Sequence, residues 1–167
     1  MADPKVKITT NLGSFTLQLY ANKAPLTVDN FIQYVNDKHY DGTIFHRVMK
    51  SFMIQGGGMT VDLEQKPTRK PIKNEAKNDL TNKRGSIAMA RTGVVDSATS
   101  QFFINVVDNP PLDYRGDSAY DYGYCVFGQV IEGMDVIDTI RKVRVQPQEM
   151  HEHVPMDPII IETAVVL

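Results

Sequence analysis

A single cysteine, Cys125, is all the thiol in this 167-residue chain, so no internal disulfide can staple it. It sits in the apolar run Tyr124-Cys125-Val126-Phe127, with no histidine near it in sequence and no helix start to stabilise a thiolate. A buried, inert thiol is expected there, not a nucleophile. Charge of one sign is also lacking. Eighteen basic against twenty acidic side chains give a formal charge of −2, which offers no broad footprint for nucleic acid or an anionic membrane. The most basic stretch, Lys66 to Lys73, also holds Pro67 and Pro71 and reads as a solvated loop. No apolar run approaches the roughly 18 to 20 residues that span a bilayer, no basic-then-apolar leader opens the sequence, and no Asn-x-Ser/Thr sequon occurs. These absences predict a cytoplasmic protein that binds neither nucleic acid nor membrane. Internal repeats, low-complexity tracts and interdomain linkers are missing too, so residues 1–167 are expected to form one domain, with enough chain to bury a core unaided.

Strand signals dominate what is present. Residues 5 to 10 and 14 to 20 read as a hairpin about Asn11-Leu12-Gly13, with Phe15, Leu17 and Leu19 alternating with Thr16, Gln18 and Tyr20. After Pro25, Thr27 is placed to cap a helix whose Val28, Phe31, Ile32 and Val35 form one apolar stripe. Further strands are expected near 43 to 48, 52 to 56, 86 to 90, 101 to 107, 124 to 131 and 159 to 166. A short helix after Gly133 carries Val136, Ile137, Ile140 and Val143 on one side and Arg141, Lys142 and Arg144 near its negative end. Residues 59 to 84 show little periodicity and read as a long surface excursion of the kind that shapes binding sites or moves. Strand following strand excludes alternating βαβ units; a mainly β fold, a closed eight-stranded antiparallel barrel capped by two α-helices, disposes of the sheet edges and the helical stripes together.

Familiar catalytic chemistry finds little support. There is no Gly-x-Ser-x-Gly, and no serine or cysteine is spaced to suggest a partner base. His46 adjoins Arg47, so in a regular strand the two point to opposite faces, and His46 reads as structural. His151 and His153 could approach one metal ion from a strand, but no third ligand is evident beside Glu152, and a surface loop is the simpler reading. Gly56-Gly57-Gly58 lacks the Lys-Ser/Thr of a phosphate loop and suits a tight turn or close backbone approach. What remains is apolar surface, amides and one guanidinium: Phe52, Met53, Gln55, Ala90, Gln101, Phe103 and Arg47. Arg47, set between Phe45, Val48, Phe52, Met53 and Ile54, is either a strand-edge arginine reaching solvent or the directional donor of a greasy pocket. The second reading suits a reaction that needs no covalent or metal chemistry, such as rotation about an Xaa-Pro bond.

Phe45-His46-Arg47 with Phe52-Met53-Ile54-Gln55-Gly56-Gly57 resembles the signature of the cyclophilin-type peptidyl-prolyl cis-trans isomerases, and of their bacterial cytoplasmic branch in particular. Ala21 to Phe31, Ile87-Ala88-Met89-Ala90, Ser100-Gln101-Phe102-Phe103 and Val126-Phe127-Gly128 match further blocks in the family's order. The resemblance implies a cofactor-free isomerase with its site on the outer surface of the barrel. It implies that Arg47 is catalytic, that Phe52, Met53, Phe103 and Leu112 line a proline pocket with Tyr124, and that Gln55 and Gln101 hold Arg47 or the peptide. Backbone about Ala90 and Arg91 would take the substrate as an added strand. Phe52 conflicts with strict alternation against Met53 and Gln55 unless the strand begins after it. The expected partners are proline-containing peptides and unfolded or flexible protein segments, met by a monomer; a binding module with incidental catalysis is the alternative reading. Two positions depart from eukaryotic members: Pro111 precedes Leu112 where they carry tryptophan, and Tyr124 replaces a pocket histidine. The segment Tyr114 to Gly123 is also longer than theirs. Proline has neither the indole N–H nor its aromatic face, so weak cyclosporin binding is expected. Titration of the isomerase activity with cyclosporin should show shallow inhibition, and stoichiometric inhibition would overturn the expectation.

Overall fold

The computed structural model describes residues 3–167. Alternation in the first hairpin carries directly into its structure: β1 (Lys5–Thr10) and β2 (Gly13–Leu19) pair antiparallel, with Val6, Ile8, Phe15, Leu17 and Leu19 buried on one face. After α1 (Pro25–Asn36) come β3 (Arg47–Met49), β4 (Met53–Gly56), β5 (Ser86–Met89) and β6 (Phe102–Asn105). A 3-10 turn at Pro110–Leu112 leads to β7 (Val126–Glu132), α2 (Met134–Arg141), β8 (Val145–Gln148), β9 (His151–Pro155) and β10 (Ile161–Val166). One antiparallel sheet runs β10-β1-β2-β7-β5-β6-β4-β3, the eight-stranded, two-helix architecture expected from the sequence. The sheet curls until its ends meet just ahead of β3 and β10. There Ile44 bridges Ile160, Phe45 N–H donates to Ile159 O (3.0 Å), and Ile161 N–H donates to Thr43 O (2.8 Å). Closure is thus one short bridge, not a full ladder.

Two expectations need correction. Thr27 does not cap α1: it lies inside the helix, and the flanking cap position is Ala24, whose side chain has no acceptor. The carboxylate of Glu75, from the aperiodic excursion, takes over that role by accepting from Leu26 N–H (3.3 Å), Thr27 N–H (2.7 Å) and Thr27 Oγ1–H (2.7 Å). Residues 151 to 153 are not loop but strand, paired in a separate two-stranded hairpin with β8. In its partner β8, Pro147 and two further exposed positions, Gln146 and Gln148, hide the hairpin from any alternation test.

The helices close the two sides of the main core. Val28, Phe31 and Val35 of α1 are buried, and the Phe31 ring lies 5.1 Å from Tyr40, 5.7 Å from Phe102 and 5.2 Å from Phe127. Ile137 and Ile140 of α2 are buried, while Asp138 holds the Arg84 guanidinium through both carboxylate oxygens (2.8 and 2.7 Å). β5 and β6 are buried at every position because both of their faces are covered. Inside lies the main core. Outside lies a smaller cluster of Met53, Ala88, Phe103 and Val126.

His46, adjacent to Arg47, is 3% exposed and meets the ring of His151 edge-on at 5.5 Å, so it joins the β8–β9 hairpin to the sheet. Burial, then the nearby His151 and Arg47, pushes its pKa from 6.5 down to about 4. The unfolded chain therefore binds a proton that the folded chain does not, and stability that is complete above pH 6.5 falls as pH drops toward 4. The loss is expected to be on the order of 3 kcal/mol. Urea unfolding across that window should show a smaller pH slope in His46→Gln than in the native protein; equal slopes would exclude His46 as the source. Separately, Glu75→Ala should lower stability by about 1–2 kcal/mol by removing the cap of α1, and an unchanged urea midpoint would show that the cap is dispensable.

Candidate active site

Strand alternation assembles the site. In β4, Ile54 belongs to the main core whereas Met53 belongs to the outer cluster, and Gln55 shares Met53's side. In β6, Phe102 and Ile104 point inward and Phe103 outward. The ladder sets Gln55 opposite Phe103 on one side and opposite Arg47 on the other. Phe52 stands in the turn before β4, with its N–H donating to Met49 O (3.0 Å), so it escapes the alternation and joins Met53 and Gln55. The conflict in the sequence pattern is resolved by where the strand begins.

Loops supply the remaining walls. Leu112 comes from the 3-10 turn, and its carbonyl accepts from Tyr124 N–H (2.9 Å). Ala90 follows β5 and donates its N–H to Gln101 O (3.0 Å). A cavity of about 140 Å³ results, lined by Arg47, Phe52, Met53, Gln55, Ala90, Arg91, Phe103, Leu112 and Tyr124. Gln101 stands behind this lining. Every site residue expected from the sequence is thereby brought to one place on the outer face of the sheet.

The polar side of the cavity is a relay. Gln101 Oε1 accepts from Gln55 Nε2 (2.8 Å), which turns Gln55 Oε1 toward Arg47 Nη1 at 3.4 Å. Gly58 makes room for it: a Cβ there would fall 2.5 Å from Gln101 Cγ. Gly57 has φ +92°, so the glycine run provides both the tight turn and the close approach.

The two arginines of the cavity differ in what they are free to do. Arg91 donates to Gly123 O (2.9 Å), Thr92 O (3.0 Å) and Ala119 O (2.8 Å), and its guanidinium lies 5.1 Å from the centre of the Tyr124 ring. Tyr124 in turn meets Phe103 edge-on at 5.6 Å. The side chain of Arg91 therefore fastens the 119–124 segment and backs one wall, a role that sequence spacing could not signal because its acceptors are all backbone carbonyls. Arg47 is exposed and keeps donors for a ligand.

Neither of the other reactive side chains faces the cavity. Cys125 is buried beside Thr27 Oγ1 (3.5 Å), and burial pushes its thiol up to about 11, so the expectation of an inert cysteine holds. His46 is turned away against His151. Among the described residues no three His, Cys, Asp or Glu side chains gather at one point, and no helix is long and apolar enough to cross a membrane.

Known proteins share this arrangement. The family described as cyclophilin type peptidyl-prolyl cis-trans isomerase/CLD matches residues 5–166. A peptidyl-prolyl cis-trans isomerase of Acinetobacter baylyi is 52% identical over 159 residues, covering 95% of this chain and 83% of that protein. Peptidyl-prolyl cis-trans isomerase B of Escherichia coli is 50% identical over 161 residues, covering 96% and 98%. The crystal structure of a Cryptosporidium parvum cyclophilin type isomerase superposes with a TM-score of 0.79 at 28% identity, over 99% of this chain and 98% of that one. A second structure of that protein, in the presence of the dipeptide Ala-Pro, gives the same TM-score over 98% of each chain. Since the match runs from the first strand to the last and through every segment that lines the cavity, this chain belongs to the cyclophilin-type peptidyl-prolyl cis-trans isomerase family.

Proposed function

We propose that the cavity holds the proline ring of an Xaa-Pro peptide and that Arg47 lowers the barrier to rotation about the preceding bond. That barrier, about 18–20 kcal/mol, comes from amide resonance. In the twisted state the prolyl nitrogen is pyramidal and carries a free electron pair, whereas in the planar state the pair is delocalised. A guanidinium N–H aimed at the nitrogen stabilises the twisted state more than either planar one, and only that difference accelerates rotation. No bond to the enzyme forms and no cofactor takes part. Met53 and Phe103, 2% and 4% exposed, give the ring a dry floor, with Phe52, Leu112 and Tyr124 as walls. Gln101 orients Gln55, and Gln55 orients Arg47.

The single observation that carries this reading is the placement of Arg47, an exposed cation held by one 3.4 Å contact, on the rim of a cavity whose other side is made by Phe52, Met53, Phe103, Leu112 and Tyr124. The Ala-Pro dipeptide named with the structure of the Cryptosporidium relative supports the ligand class. β5 has both edges paired, to β6 and β7, so a peptide can add as a strand only past its end, at Ala90 and Arg91. The substrates are proline-containing peptides and unfolded or flexible protein segments, and the physiological role is to assist folding, performed by a monomeric single-domain protein in the cytoplasm.

Exchange spectroscopy on a proline peptide tests the mechanism. Arg47→Ala should lower the catalysed cis/trans rate by about 10²–10³-fold, the usual loss on removing a preorganised donor, while peptide binding through Phe52, Met53 and Phe103 largely persists. Arg47→Lys keeps the charge without the planar fork and should recover only part of the rate. Equal rates for the native protein and Arg47→Ala would refute the mechanism and leave a proline-binding module.

A further inference from the structure

Three asparagines with no part in the rotation lie buried beside the cavity: Asn82, Asn105 and Asn109 are 2%, 0% and 8% exposed. Burying an amide without partners costs roughly 2–7 kcal/mol, so what they bond to decides what they do. Asn105 lies two residues beyond Phe103 in β6 and is directly across from Met53 on β4, which puts it on the cavity side of the sheet. Its Nδ2 donates to Asn82 Oδ1 (3.0 Å) and Ser86 Oγ (2.9 Å), and its Oδ1 accepts from Asn109 Nδ2 (2.7 Å). Asn109 Nδ2 gives its second hydrogen to the carbonyl of Phe52 (2.9 Å). Asn82 Nδ2 donates to the carbonyl of Leu112 (3.1 Å) and to Asp113 Oδ1 (3.0 Å). Each of the three side chains therefore has both amide hydrogens placed, and reversing any one amide would set oxygen against oxygen.

The path of bonds starts at the carbonyl of Phe52 and ends at that of Leu112. These are cavity residues that arrive from turns and have no ladder of their own. Tyr124 depends on the same terminus, since its N–H donates to Leu112 O (2.9 Å). Met53 and Phe103, by contrast, are fixed by the β4–β6 ladder. The network thus ties the loop-borne walls to the strand-borne floor.

We propose that Asn82, Asn105 and Asn109 are positioning residues that set the width of the cavity, and that they make it selective for a five-membered imino ring. This rests on the reading of the cavity as a proline subsite. A well-packed apolar trio would fill the same space but would direct neither carbonyl.

Two matched peptides test the idea in NMR titrations, one containing Ala-Pro and one with its six-membered homologue, Ala-pipecolyl. A fitted apolar pocket discriminates one methylene by roughly tenfold or more, and the native protein should favour proline to that degree. Asn109→Ala and Asn82→Ala should each bring the preference to within about threefold, a fraction of the cost of one methylene. Asn109→Leu keeps the bulk without the donors and should behave like Asn109→Ala, whereas a packing role predicts the native ratio. If Asn109→Ala and Asn82→Ala stay folded by circular dichroism and keep the native ratio, the network is structural only and the proposal is overturned. If the native protein binds neither peptide, the proline reading itself fails, and the two failures are told apart by that control.

Discussion

One register governs the site: Gln55 of β4 sits opposite Phe103 of β6, and Met53 opposite Asn105. A slip of one residue would send Met53 and Gln55 into the main core and bring Ile54 out to the cavity, since side chains alternate with a period of two. Both faces of these strands are buried, so apolar side chains and, on the outer face, satisfied amides are required on each. That double requirement pins the pairing more firmly than a sheet with one wet face would be pinned. The arrangement of Arg47 follows from it, because β3 pairs Arg47 with Gln55 on the far side of β4.

Around this register the polar groups divide by how freely they can answer a ligand. Arg91 is held by three carbonyls and an aromatic face, and Asn82, Asn105 and Asn109 have every amide hydrogen in use. Arg47 alone among the cavity's charged groups keeps several donors available. Under the mechanism proposed above, rigid surroundings and one responsive cation form a sensible division, because any wall that yielded to a twisting amide would forfeit the difference in stabilisation between planar and twisted states.

The cavity was legible in the sequence to an unusual degree, since its residues sit in short blocks whose order is itself informative, and its apolar side chains cluster about a cation that needed explaining. Phe52 showed the limit of periodicity: alternation alone set it against Met53 and Gln55, and only the start of β4 one residue later reconciles them. Elements held by distant partners were not legible. Glu75 caps α1 from 48 residues away, so the nearer Thr27 looked like the cap. The β8–β9 hairpin is carried by backbone pairing and by contacts such as His46 against His151, with little apolar pattern of its own. The role of the Arg91 side chain depends on carbonyls, which every residue possesses and no sequence distinguishes.

The pairing of β1 with β10 has a consequence for how such a protein is made. Residues Val6 to Thr10 find their partners among Ile161 to Val166, so β1 leaves the ribosome long before the strand it pairs with. Until then Val6 and Ile8 lack half of their ladder, and loop closure over nearly the whole chain must precede the contacts that reward it. A fold closed in this way is completed only after synthesis has passed Val166, and in the interval its early strands carry apolar side chains on an edge that has no partner yet.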